Sequence, residues 1–510
     1  MTKSISNFSR ALCVLLLCTG LVFAGCTEEP LDNNQNTEQE GNQNPEQEGN
    51  QNGNDETTDL VTISIDEITP TTVTFKGKVN VSDADKEYSM VTIRYSEPEG
   101  FNALDENLSK VVCTSFDENN GFSIVLTGLK RNTTYKYCVI VKVRTEETYS
   151  ETVMTFTTTD FIAPQGYTNL STISTANCYV ISTSGQYCFL VALGNQEALS
   201  MIDATKSVSV LWESFGNSRT PDVGDLIKSV SYNDGYIAFK TANSFKEGNA
   251  VIAAKDASGN IIWSWHIWLT DEPQGQEYYN NAGTMMDRNL GATSATPGDV
   301  GALGLLYQWG RKDPFLGSSS IVNCTNAKST ITWPSSVLSD SSTGTIAYSI
   351  ANPTTFIEEN WENYEWYYPG SESINNILWT RSDKSKSIYD PCPPGWRVPD
   401  GGTNGVWSKA LWSSTSIKHT YDTSNMGMNF SGKFGAASMI WYPGTACLDG
   451  EYGDLYNNGE DGMNGEYWAV PSDSAYDIFG SLLFTDTGRV YTDNGGRSAK
   501  GRPVRCVKEL

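Results

Sequence analysis

The stretch Tyr389–Asp400, YDPCPPGWRVPD, sets one cysteine among prolines and follows it with Gly-Trp-Arg. Three roles are open to Cys392: nucleophile, metal ligand, or one half of a disulfide. A nucleophilic thiol needs a base, usually histidine, to make the thiolate. The chain has 2 histidines. His266, in WSWHIW, falls in a different unit of the chain, and His419, in SIKHTYD, stands in no matching motif. Zinc sites draw on cysteines at short spacing, and no C-x-x-C pair occurs beyond Cys26. Between Cys392 and the last cysteine, Cys506, runs a loop-rich segment, MIWYPGTACLDGEYGDLYNNGEDGMNGEYWAVPSDSAYDIFG. Aromatics on such loops give rigid contact area at low entropic cost and can stack on sugar rings. Tyr442, Tyr452, Tyr456, Tyr467 and Tyr476 are therefore the candidate ligand-binding residues, with Tyr452 and Tyr456 the better placed for exposure, whereas Trp441 and Trp468 read as core. The acids from Asp449 to Glu466 are the oxygen chemistry of a calcium loop, but their spacing fits no EF-hand. The expectation is therefore no cofactor, with calcium as the alternative.

The elements that position these residues belong to a long, acidic, β-rich chain. Its 510 residues are enough for about three domains. An aromatic fraction of 11% and 45 glycines, with few charged helical runs, favour strands and turns. The net charge of −25 excludes nucleic acid as a partner, because neutralising phosphate needs clustered Lys and Arg. No tryptophan precedes Trp212, and ten of the 14 follow residue 300, which weights recognition toward the C-terminal part.

Lys3 and Arg10 precede the apolar run Ala11 to Phe23, which is too short to span a membrane by itself. The run ends in LVFAGC and resembles a bacterial lipoprotein signal over residues 1–25. The resemblance implies that Cys26 carries the lipid and that the membrane is a partner through that anchor. Residues 26–59, with EQEGNQN twice and no Lys or Arg, cannot bury enough apolar surface to fold and form a tether. Glu28, Glu29 and Asp32 behind the lipid cysteine resemble the export signal that sends Bacteroidetes lipoproteins to the outer face.

Residues 60–159 alternate apolar and polar positions around a turn at Ile68–Thr71. Tyr135, after an Asn-Thr-Thr corner, resembles the tyrosine corner of a fibronectin type III sandwich. Residues 160–275 read as a second β-sandwich. ANCYVIS and GQYCFLVAL predict a hairpin about Thr183–Gly185, which would bring Cys178 toward Cys188. WSWHIW, with aromatics on both faces, predicts a buried sandwich strand.

In residues 276–510 the blocks MDRNLGAT, GLLYQWGRKDPF, YDPCPPGWRVP and the terminal GRPVRCVKEL follow one another. The set resembles the Fibrobacter succinogenes major paralogous domain, a family of exported Bacteroidetes proteins with a likeness to the C-type-lectin-like fold of formylglycine-generating enzymes. GWRVP resembles the step that leads into a helix in that fold, and only a short helical stretch, about Trp407 to Trp412, follows it here. The resemblance implies an α+β domain whose two ends meet, which would bring Cys392 to Cys506 as a disulfide in an oxidising compartment. The copper-binding cysteine pair of the enzymes has no counterpart, since Cys447 stands alone in its segment, and the lectin-like WND calcium pattern is missing. The expected whole is a mainly β, multidomain protein. It is read as a lipid-anchored protein of the outer surface that binds a glycan or protein ligand outside the cell, for adhesion. A component of a pilus, including its tip, is the first alternative, and an enzyme of the formylglycine-generating type is the second.

Overall fold

The computed structural model describes residues 56–57, 60–150, 152–195, 200–362, 364–368, 378–380, 385–411, 419–456, 463–471, 481–492 and 494–509. Cys26 and the acidic residues behind it lie outside them. The described chain is mainly β and multidomain.

The first domain is a β-sandwich of antiparallel strands. One sheet orders Glu56–Thr57, Val61–Ile68, Val73–Val79 and Gly121–Leu126. The other orders Ser109–Cys113, Ser89–Ser96 and Thr134–Val143, with Glu146–Tyr149 and Met154–Thr157 both paired to the last. The turn after Ile68 is closed by Thr69, whose hydroxyl accepts the Thr72 N–H at 2.9 Å. Alternate residues Val73, Phe75 and Val79 face inward and meet Tyr137 and Phe156 in a core made only of this domain's residues. The Tyr135 phenol accepts the Lys130 N–H at 2.9 Å, which ties the strand start to the preceding loop.

The second sandwich pairs Thr168–Asn169, Gln186–Leu190, Tyr236–Thr241 and Ile227–Asn233 in one sheet. Cys178–Ile181, Ile261–Leu269, Gly248–Lys255 and Ser207–Ser214 form the other. The hairpin expected of Cys178–Ile181 and Gln186–Leu190 does not form. The two strands lie in opposite sheets, and Cys178–Ile181 runs parallel to Ile261–Leu269. Tyr179 and Ile181 from one sheet and Tyr187 and Phe189 from the other fill a single interior. Both segments show inward-facing apolar residues, and a short crossover satisfies that pattern as well as a hairpin would.

Ile261–Leu269 is buried along nearly its whole length, as expected of a sandwich strand. Trp263, Trp265 and Ile267 face the sandwich interior. Trp268 faces away, into a second core with Met286, Leu290, Trp309 and Trp468 of the C-terminal region. Its indole N–H donates to the Ala292 carbonyl at 2.9 Å. The buried Lys312 ammonium donates to the Ser264 carbonyl at 3.0 Å and pairs with Asp313 at 2.8 Å. The boundary at 275 thus divides the chain by sequence, while the packing runs across it.

Among the described residues, the C-terminal region is built from short strands, 3₁₀ turns and two six-residue α-helices, Ile346–Ala351 and Val406–Leu411. The second sits where the helical stretch was expected, with Trp412 outside the described residues. Gly275–Glu277, Thr284–Met286, Val507–Lys508 and Trp396–Arg397 share one sheet, so the start and end of the region are neighbours. A second sheet orders Tyr307–Gln308, Gly501–Arg502, Cys447–Leu448 and Leu455–Tyr456.

Candidate functional site

The strand pairing of Trp396–Arg397 with Val507–Lys508 puts Cys392 beside Cys506. The two are bonded, with Cα atoms 6.2 Å apart across 114 residues of sequence, and both are fully buried. Asp390 shapes the Pro-framed turn, because its carboxylate accepts the N–H groups of Cys392 at 2.8 Å and Val398 at 3.0 Å. The Lys386 ammonium donates to the carbonyls of Cys392 and Pro393 at 3.0 and 3.1 Å. Burial outweighs the neighbouring Lys386 charge and raises the Asp390 carboxyl to about 6. With its sulfur in a covalent bond, Cys392 offers neither a nucleophile nor a metal ligand.

A different cysteine has the partners a nucleophile needs. Cys178 Sγ lies 3.3 Å from His266 Nδ1, and His266 Nε2 lies 2.8 Å from Asn249 Oδ1. Residues 88 positions apart meet here through a parallel strand pairing that no local sequence pattern signals. The set has the order of thiol, base and orienting amide, but all three side chains are sealed in the core. Burial pushes the Cys178 thiol up and takes the His266 imidazole down to about 3, so both are neutral. A neutral thiol with no path to solvent is a packing element.

The candidate tyrosines separate into two groups. Tyr442 and Tyr467 are fully buried, which removes them as ligand contacts. The Tyr442 hydroxyl accepts the Trp407 indole N–H at 3.1 Å, and the Arg505 guanidinium lies 3.7 Å from its ring centre. The Tyr467 hydroxyl donates to the Pro443 carbonyl at 2.6 Å. Both lie on strands, Gly435–Pro443 and Gly465–Trp468, inside what reads as loop, and strand geometry turns them into the core beside Phe430 and Phe484. Trp441 and Trp468 are core as expected. Tyr452 and Tyr456 are 62% and 50% exposed. Tyr476 lies outside the described residues.

Tyr452 lines an open groove of about 510 Å³. The groove has one wall from residues 326–336, another from residues 452–454, and a buried apolar base of Phe315, Phe356 and Leu448. The first wall is anchored to the second sandwich. Thr330 donates its N–H to the Glu213 carbonyl at 3.1 Å and accepts the Glu213 N–H on its hydroxyl at 3.0 Å. Trp333 stands in this wall, half-buried against Trp212 and Phe315, with its indole N–H on the Ser329 hydroxyl at 3.1 Å. The opposite wall is a tight turn in which Asp449 accepts the Glu451 N–H at 2.9 Å. Gly453 has φ +70°, and a Cβ there would come within 2.8 Å of the Phe356 ring, so only glycine lets the turn rest on that base. The serines at 329, 335 and 336 line the groove with hydroxyls.

Tyr456 does not line this groove. Trp333, Phe315 and Phe356 were not among the expected contacts. The available signal was the Trp333-Pro334 step followed by two serines, an aromatic on a stiff, polar loop. The acids Asp449, Glu451, Asp454 and Glu466 do not converge. Asp449 caps its own turn, and Glu466 pairs with Arg502 at 2.6 Å. Among the described residues no three His, Cys, Asp or Glu side chains gather as a metal site.

No family model matches the sequence, and no curated protein matches it. Solved structures with partial likeness include a sensor domain of the anti-sigma factor RsgI4 of Pseudobacteroides cellulosolvens. It is 22% identical, covers 20% of this chain and 98% of its own, and has a TM-score of 0.15. Titin A168169 is 10% identical, covers 40% of this chain and 93% of its own, and has a TM-score of 0.14. Scores this low say nothing about function.

Proposed function

We propose that this chain is an exported protein, lipid-anchored through Cys26 to the outer membrane and facing the cell exterior, that binds glycans through its C-terminal region. The signal-like N-terminus and the acidic tether support the location. The block order from MDRNLGAT to GRPVRCVKEL supports a C-type-lectin-like domain of the Fibrobacter succinogenes major paralogous kind. The observation that carries the binding reading is the groove between Trp333 and Tyr452, where an apolar aromatic base is rimmed by serine hydroxyls. A sugar ring presents one C–H face and a ring of hydroxyls, and this combination matches both. The adhesive role follows from holding such a site away from the membrane on a tether and two sandwiches.

The test is binding of the full chain to a glycan array, repeated with Trp333→Ala and Tyr452→Ala. Truncating an aromatic anchor at a small site should weaken binding by about tenfold or more. Tyr456→Ala, outside the groove, should leave binding unchanged. Equal binding by the parent and both groove variants would defeat the assignment. Retention of Cys26→Ser in the membrane fraction would defeat the anchor.

A further inference from the structure

Resting on the reading of the groove as a glycan site, we propose that it selects uncharged glycans, built of hexoses and N-acetylhexosamines, and excludes those bearing carboxylate or sulfate. Lys328 is the one cation among the described lining residues. Three carboxylates oppose it. Asp454 lines the groove, Glu358 accepts the Ser336 hydroxyl at 2.5 Å, and Glu451 accepts the Tyr452 phenol. The hydrogen bond to the Glu451 carboxylate, chiefly, and the nearby negative charges of Asp449 and Glu358 push the Tyr452 phenol pKa up.

A fixed bidentate donor fork for a sugar's carboxylate or sulfate is most directly supplied by arginine. No arginine is among the described residues that line this groove. An incoming carboxylate or sulfate would instead lie within a Debye length, about 8 Å at physiological salt, of several like charges. Serine hydroxyls suit the opposite kind of ligand, because each both donates and accepts, as sugar hydroxyls do. The apolar base of Phe315, Phe356 and Leu448, buried beneath the groove, makes its floor hydrophobic and offers nothing to an ion.

The experiment uses the full chain in detergent on an array of neutral oligosaccharides, each paired with the same chain capped by sialic acid, uronic acid or a sulfate ester. The neutral member of each pair should bind, and its acidic partner should bind about tenfold more weakly at physiological salt. The gap should narrow at high salt. Asp454→Lys should raise the ratio of acidic to neutral binding several-fold, because the groove's charge balance reverses. If acidic members bind as well as or better than neutral ones, charge selection is wrong while the glycan reading stands. If a folded chain binds no glycan, both fail. If neutral glycans are preferred and Asp454→Lys leaves the ratio unmoved, these carboxylates are not the cause and the proposal falls.

Discussion

Asp390 illustrates how a residue with no contact to any ligand can govern a site's stability. Its carboxyl is buried, accepts two backbone N–H groups around the Cys392 turn, and titrates near 6 against an ordinary value of 3.8. Between those values the folded chain holds a proton that the unfolded chain has released. The group's stabilising contribution is therefore fully present below pH 3.8 and is lost as the pH rises through about 6. The loss is on the order of 2–3 kcal/mol. Asp390→Asn should flatten the fall in unfolding free energy between about pH 4 and pH 7 by that order, measured by denaturant titration. Parallel slopes for parent and variant would show that Asp390 does not titrate there. At this scale the sequence was partly legible. Tyr452 stood out because DGEYGDLYNNGED cannot be a core strand, and it is exposed. Tyr442 and Tyr467 sit in equally glycine-rich text, yet each occupies an inward position of a strand that composition alone does not reveal. Cys178 and His266 meet only because two distant strands run parallel.

Among the elements, the corner at Tyr135 shows local text carrying a local structure. Its hydroxyl accepts the Lys130 N–H, and its ring stacks on Phe156 with centroids 5.4 Å apart. Tyr135→Phe keeps the ring and leaves that N–H without its partner, so it should cost the first sandwich about 1 kcal/mol. An unchanged melting transition for that domain would mean water replaces the bond at no cost. Val73–Val79 was legible from its alternation and flanking turn, and Ile261–Leu269 from its run of apolar residues on both faces. The Cys178–Ile181 crossover was not, because a four-residue link can either reverse a strand or carry it across to the facing sheet. What decides is burial of Tyr179 and Phe189 against each other, with ring centroids 5.0 Å apart. The many two-residue strands beyond residue 275 left still less signal, since so short a strand has no periodicity to read.

For the molecule as a whole, the cores define the cooperative units better than the sequence boundaries do. Residues 61–156 share a core with nothing else, whereas Trp212 and Trp268 are packed with Trp309, Trp366 and Trp468. Calorimetry of the full chain should therefore show two transitions, one for the first sandwich and one for everything from about residue 160 onward. A fragment of residues 160–510 should keep the second transition. A fragment of residues 276–510 would expose the indoles that the sheet of Ile261–Leu269 covers, and it should aggregate. A soluble, cooperative melt from the shorter fragment would overturn the shared-core account. The same packing has a mechanical side. Under the proposed anchoring and glycan binding, the N-terminal end and the groove would be the two points of pull. Tension arriving through the Trp333 wall passes at Thr330 into the strand Ser207–Ser214 by its paired hydrogen bonds with Glu213. That strand lies upstream of the whole C-terminal region, so the load path turns back toward the tether at Glu213. Load on the opposite wall passes instead through the sheet of Leu455–Tyr456, Cys447–Leu448 and Gly501–Arg502, a few residues from the Cys392–Cys506 link, so the two walls of the groove would hand tension to different parts of the fold.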